Sequence, residues 1–151
     1  MESFFYFATL EKKIRYTLGK SDRLKSRKEI EQLFKTGKTF TVFPFRVLYI
    51  IKPVVVLVNI GQPTAISHLQ TGFTVSSRHF KKAVDRNRVK RLMREAYRLQ
   101  KYELQLSPQL DKSSLSIFLI YVGKEIPEYT LVYEKTSAVL KRLIRLMNET
   151  T

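Results

Sequence analysis

The chain contains no cysteine, so disulfides and thiolate metal sites are excluded, and a reducing compartment is compatible with that usage. Long apolar runs are missing too: nothing approaches the roughly 20 consecutive apolar residues a membrane helix needs. The opening Ser3–Leu10 is apolar, but it has neither a basic start nor a small-residue cleavage site and reads poorly as a secretory signal. Residues 1–19 are read as an N-terminal extension whose structure the sequence leaves open, and 20–151 as one domain. Histidine is scarce: His68 and His79 are not spaced as a ligand pair and fall in expected loops. Asp22, Asp85 and Asp111 are scattered, so the chain offers no catalytic set and no metal cluster of its own.

The most telling shortage is of acid. Thirteen Asp and Glu stand against 28 Lys and Arg in 151 residues, a formal charge of +15. Self-repulsion at that charge opposes folding, and a polyanion relieves it. Nucleic acid is the favoured polyanion and an anionic membrane surface the rival. With 44% hydrophobic residues the chain has enough apolar surface to fold.

Ser21 or Ser26 can cap a helix running to about Phe34, stopped by Gly37, with Ile30, Leu33 and Phe34 on one face. Phe40–Ile51 is β-branched and aromatic and predicts a strand, with Phe43, Phe45, Val47, Tyr49 and Ile51 on one side and Pro44 marking an edge or bulge. Val54–Val58 is a second apolar run, and Asn59–Pro63 is turn material. Gly72–Ser77 predicts another strand, Phe80–Glu103 a long helix, Leu115–Val122 a strand and Tyr129–Asn148 a final helix. The order α-β-β-β-α-β-α, with about four strands, predicts an α+β sandwich with helices against one sheet.

Residues 78–101 carry ten basic side chains opposed by Asp85 and Glu95, which is +8 of the total, and no acidic residue lies between Glu31 and Asp85. At roughly 100° per residue, Val89, Leu92, Met93, Ala96 and Leu99 form an apolar sector. Asn87, Lys90, Arg94 and Arg98 gather opposite, with Arg91 beside them, Tyr97 at the border, and Arg86 and Arg88 flanking the apolar sector. A merely solvated face mixes signs, because like charges at i,i+4 are mildly destabilising. Here Lys90–Arg94 and Arg94–Arg98 repeat the like charge, and guanidinium forks suit phosphate oxygens.

The stretch Lys81–Arg98, centred on Arg86-Asn87-Arg88 and preceded by Gly72-Phe73-Thr74-Val75-Ser76, resembles the signature of the bacterial ribonuclease P protein family. Arg23–Lys38 resembles that family's first helix, and Phe45–Tyr49 its first strand, so the likeness covers roughly residues 20–148. The resemblance implies a fold like the second domain of ribosomal protein S5, with an unusual left-handed βαβ crossover. It also implies a cytoplasmic ribonucleoprotein that removes the 5′ leader of precursor tRNA. In it the catalytic RNA cuts with Mg2+ that it mainly binds itself, and no other protein partner and no membrane is needed.

Carried over by motif, Asn87, Lys90 and Arg94 line a cleft for the leader, while Arg86, Arg88 and Arg91 serve the catalytic RNA; Arg98 extends the basic face. Phe34, Tyr49 and Ser76 join the leader cleft, although either aromatic is equally at home in a core. Ile30 stands where the family has an aromatic, and His79-Phe80-Lys81 fills, one residue longer, a turn where the family has glycine. The rivals are a general RNA-binding or ribosomal protein, a membrane-surface protein and a helix-turn-helix DNA binder.

Overall fold

In the computed structural model, which describes residues 16–53, 69–111 and 113–150, the first helix starts after Ser26, the second of the two serines the sequence offers, whose side chain makes no capping hydrogen bond, and it stops at the expected Gly37. Ser26 precedes α1 (Arg27–Thr36) and Gly37 ends it, its N–H donated to the Leu33 carbonyl at 2.9 Å. A Cβ at Gly37 would collide with that carbonyl oxygen, so the chain leaves the helix here only as glycine.

The segment read as one strand is a hairpin. β1 (Lys38–Val42) and β2 (Phe45–Pro53) pair antiparallel, with Val42 opposite Phe45. Proline has no N–H to continue a ladder, so Pro44 takes the turn, after a cis Phe43–Pro44 peptide, and Phe43 projects into solvent. The strand total expected from the sequence is thus reached by a different division; Val54–Val58 and Asn59–Pro63 lie outside the described residues.

β3 (Leu69–Val75) leads into α2 (Ala83–Gln100), which is shorter than expected at both ends and is followed by a single helical turn, α3 (Tyr102–Gln105). β4 (Ser113–Tyr121) and α4 (Tyr129–Thr150) complete the fold. The sheet order is β1-β2-β4-β3, with β4 antiparallel to β2 and parallel to β3, so β3-α2-β4 is a βαβ unit in an α+β domain.

Strand alternation divides the sheet between two cores. Phe45, Val47 and Tyr49 of β2 share one face with Leu115, Ile117, Leu119 and Tyr121 of β4, packed against Val89, Met93, Ala96 and Tyr97 of α2 and Val132, Val139, Leu140 and Leu143 of α4. Leu48 and Phe118 occupy the other face, where Leu24, Ile30 and Leu33 cover them. Gly72 fits this second layer because a Cβ there would lie 2.6 Å from Phe118 Cδ2. Gly72→Ala is therefore expected to lower stability by about 1–3 kcal/mol, read from urea unfolding. An unchanged midpoint would mean the Phe118 ring is free to swing away. Among the described residues, no helix is long and apolar enough to cross a membrane.

Candidate nucleic-acid interface

α2 turns one face to the core and the other outward. Its buried stripe is Val89, Met93, Ala96, Tyr97 and Gln100, rotated from the expected sector, with Leu92 and Leu99 only half-buried. Tyr97, expected at the border, is 1% exposed because its hydroxyl has a partner: Thr71 Oγ1 donates to it at 2.6 Å. Its ring meets Phe73 edge-on at 5.4 Å, and burial pushes the phenol far above its ordinary range, so it stays neutral.

The cations of this helix divide by what already holds them. Arg86 folds back to donate from Nη1 to the carbonyls of Phe80 (2.7 Å) and Lys81 (2.9 Å), fixing the turn that enters the helix. Arg98 forks onto Glu95, with Nη2–Oε1 at 2.6 Å and Nε–Oε2 at 3.1 Å, and donates from Nη1 to the Tyr16 carbonyl at 2.9 Å. The hydrogen bonds from Arg98 hold the Glu95 carboxyl below the usual carboxylate range. Arg88, Arg91 and Arg94 are exposed and Lys90 half-buried, and these four make no hydrogen bond or ion pair to the described residues. Asn87 is exposed beside them.

Alongside runs a groove of about 290 Å³ whose floor is the second sheet face, at Gly72, Thr74 and Phe118, and whose walls include Ile30, Leu24, Arg23, Lys25 and Arg94. Phe34 stands at its margin, 56% exposed, with its ring edge-on to Phe118 at 5.5 Å. A wider cavity of about 710 Å³ adjoins it and is lined by Arg23, Arg91, Arg94 and Arg98. Cationic walls over an apolar, aromatic floor suit a single-stranded polyanion whose bases stack while its phosphates pair.

The structure brings together part of the residue set expected from the sequence. Arg94 lines the groove with Phe118, against whose ring Phe34 packs, and Ser76 sits just past the end of β3, two residues beyond Thr74, with its N–H donated to the Tyr121 carbonyl at 3.1 Å. Tyr49 does not meet Phe34. It is 6% exposed in the main core, its ring 5.7 Å from Phe40, on the opposite face of the sheet. Tyr49, expected in one cleft with Phe34 and Ser76, therefore lies off this groove. The groove side of β2 carries Arg46, Leu48 and Ile50 instead. Sequence reasoning missed Thr74, Phe118 and Arg23, which become groove residues only when separate segments meet. Among the described residues, no three His, Asp or Glu side chains converge to hold a metal ion.

Comparison with known proteins agrees with this architecture. The family model described as Ribonuclease P matches residues 18–143. A ribonuclease P protein component of Porphyromonas gingivalis is 37% identical over 131 residues, covering 87% of each chain. One from Chlorobium phaeobacteroides is 31% identical over 134 residues, covering 84% of this chain and 88% of its own. Among solved structures, the ribonuclease P protein of Thermotoga maritima superposes with a TM-score of 0.57 at 27% identity, over 80% of this chain and 96% of that one. The Staphylococcus aureus protein, at 20% identity and a TM-score of 0.57 over 81% of this chain and 94% of that one, shares the fold.

Proposed function

This chain belongs to the ribonuclease P protein family, the protein components of that endoribonuclease, and from that premise we propose that it binds the catalytic RNA and the 5′ leader of precursor tRNA. The carrying observation is the set of cations on α2 without partners among the described residues, beside a groove with an aromatic margin. Arg88 and Arg91 serve the catalytic RNA, since each offers a planar fork that matches phosphate oxygens. Asn87, Lys90 and Arg94 face the leader together with Phe34 and Ser76. Arg86 works through the turn it ties, and Arg98, already paired with Glu95, adds less to the field.

The chemistry of cutting belongs to the RNA in this reading, with Mg2+ that the RNA mainly holds. The protein lowers the Mg2+ requirement by supplying fixed cations where phosphates crowd, and it selects precursor over mature tRNA by gripping the leader. Val89, Met93 and Ala96 are spent on the core, so α2 has no apolar face to insert into a membrane surface.

The test is cleavage of precursor tRNA by a bacterial ribonuclease P RNA at low Mg2+, with and without this protein. Stimulation confined to leader-bearing substrate is expected. Tight binding to the cognate RNA without stimulation would instead identify a general RNA-binding protein.

A further inference from the structure

Among the described residues, the best-buried charge lies off the basic face. Lys101, just beyond α2, is 1% exposed. Its ammonium pairs with Asp22 Oδ2 at 3.2 Å and donates to the Thr17 carbonyl, while Asp22 Oδ2 also accepts the Gly19 N–H at 3.0 Å. A buried ammonium is unfavourable unless paired and hydrogen-bonded, and here both partners come from one short segment that crosses the end of α2. The same segment is tied at its other end. The Leu24 N–H donates to the Thr71 carbonyl at 3.1 Å, and Arg23 forms an isolated parallel bridge with Thr71, the residue whose hydroxyl holds Tyr97.

These ties set Arg23 in the groove. Leu18, Arg23 and Arg94 line both the groove and the adjoining cavity, so the segment joins the two. Arg23 is exposed and makes no side-chain hydrogen bond or ion pair to the described residues.

We propose that Thr17–Lys25 is a strap forming the outer wall of the leader groove, that Arg23 is a phosphate contact for single-stranded RNA, and that Lys101 is the positioning residue that holds the strap. The proposal rests on the groove being the leader site. Arginine on a tethered backbone loses less freedom per contact than arginine on a loose one, so the clamp raises affinity without touching RNA. Without the ammonium, Asp22 loses its ion-pair partner and the strap keeps mainly its ties at Leu24 and Arg98.

The experiment uses the reconstituted holoenzyme and compares affinity for leader-bearing precursor tRNA and mature tRNA across a salt series. Arg23→Ala is expected to weaken precursor binding about threefold to tenfold, to lower the salt slope by about 0.7, and to leave mature tRNA unaffected. Lys101→Met is expected to give a similar leader-specific loss, and adding Arg23→Ala to it should cost little more, because the fork is already misplaced. Lys101→Met combined with Asp22→Asn, which leaves neither charge unpaired, serves the same cycle if Lys101→Met does not fold. An Arg23→Ala enzyme with unchanged precursor affinity and slope, or losses that multiply in the double variant, would overturn the strap. If Phe34→Ala also leaves leader discrimination intact, it is the groove reading that fails; a clear Phe34 effect beside a silent Arg23 overturns the strap alone.

Discussion

Replacing Arg88 and Arg91 together by alanine is expected to weaken binding to the catalytic RNA by on the order of 10- to 100-fold at moderate salt. Both guanidinium groups are exposed and free of partners among the described residues, so removing them leaves no buried group unsatisfied and the fold intact. The affinity loss should come with a salt dependence shallower by about one unit per lost phosphate contact, since each bound cation releases counterions. Arg98→Ala is the internal contrast. Its charge is already shared with Glu95, and removing it frees a carboxylate at the same surface, so its slope should change differently from that of a lone cation. Binding isotherms over a salt series decide the matter. An unchanged slope for the Arg88 and Arg91 double variant would mean this flank does not lie on phosphate.

Phe34→Ala is expected to weaken precursor tRNA binding by on the order of 10-fold while barely changing mature tRNA binding. Truncating a residue that is 56% exposed removes little from the core, so the melting temperature should move only slightly. What is lost is a flat apolar surface steadied edge-on by Phe118 at the groove margin. Tyr49→Ala should behave in the opposite way. It empties a site in the main core beside Phe40 and should cost roughly 3–5 kcal/mol of stability, with no leader selectivity of its own. Equal losses for precursor and mature tRNA in the Phe34 variant would place its contact on the tRNA body.

The contrast between Phe34 and Tyr49 marks where the sequence stops being readable. Phe34 sits on a helix whose 3.6-residue period groups it with Ile30 and Leu33, and that grouping did not separate its 56% exposed ring from a core one. Tyr49 sits on a strand, where neighbouring residues alternate faces, and β2 is apolar on both sides at Val47, Leu48, Tyr49 and Ile50. No alternation told which parity faces α1, and a one-residue change of parity moves every side chain to the other layer. Tyr97 shows the same limit on a helix: its place in the core depends on Thr71, 26 residues away, supplying a hydrogen bond.

Taken by itself, the chain determined its surplus of cations, the helix that concentrates them, the order of elements and the absence of cysteine chemistry. Composition, local periodicity, capping and turn residues are properties of single segments, so they could be read without knowing what the segments touch. The hairpin at Pro44 belongs in part to this class, since the missing N–H was visible although the fold-back was not. Tertiary structure alone decided which cations are already held, which face of the sheet floors the groove, and that Lys101 and Asp22 close on each other across the end of α2. Each of these depends on cross-strand register and on contacts between residues far apart in the chain, and such contacts are set by packing the whole molecule at once.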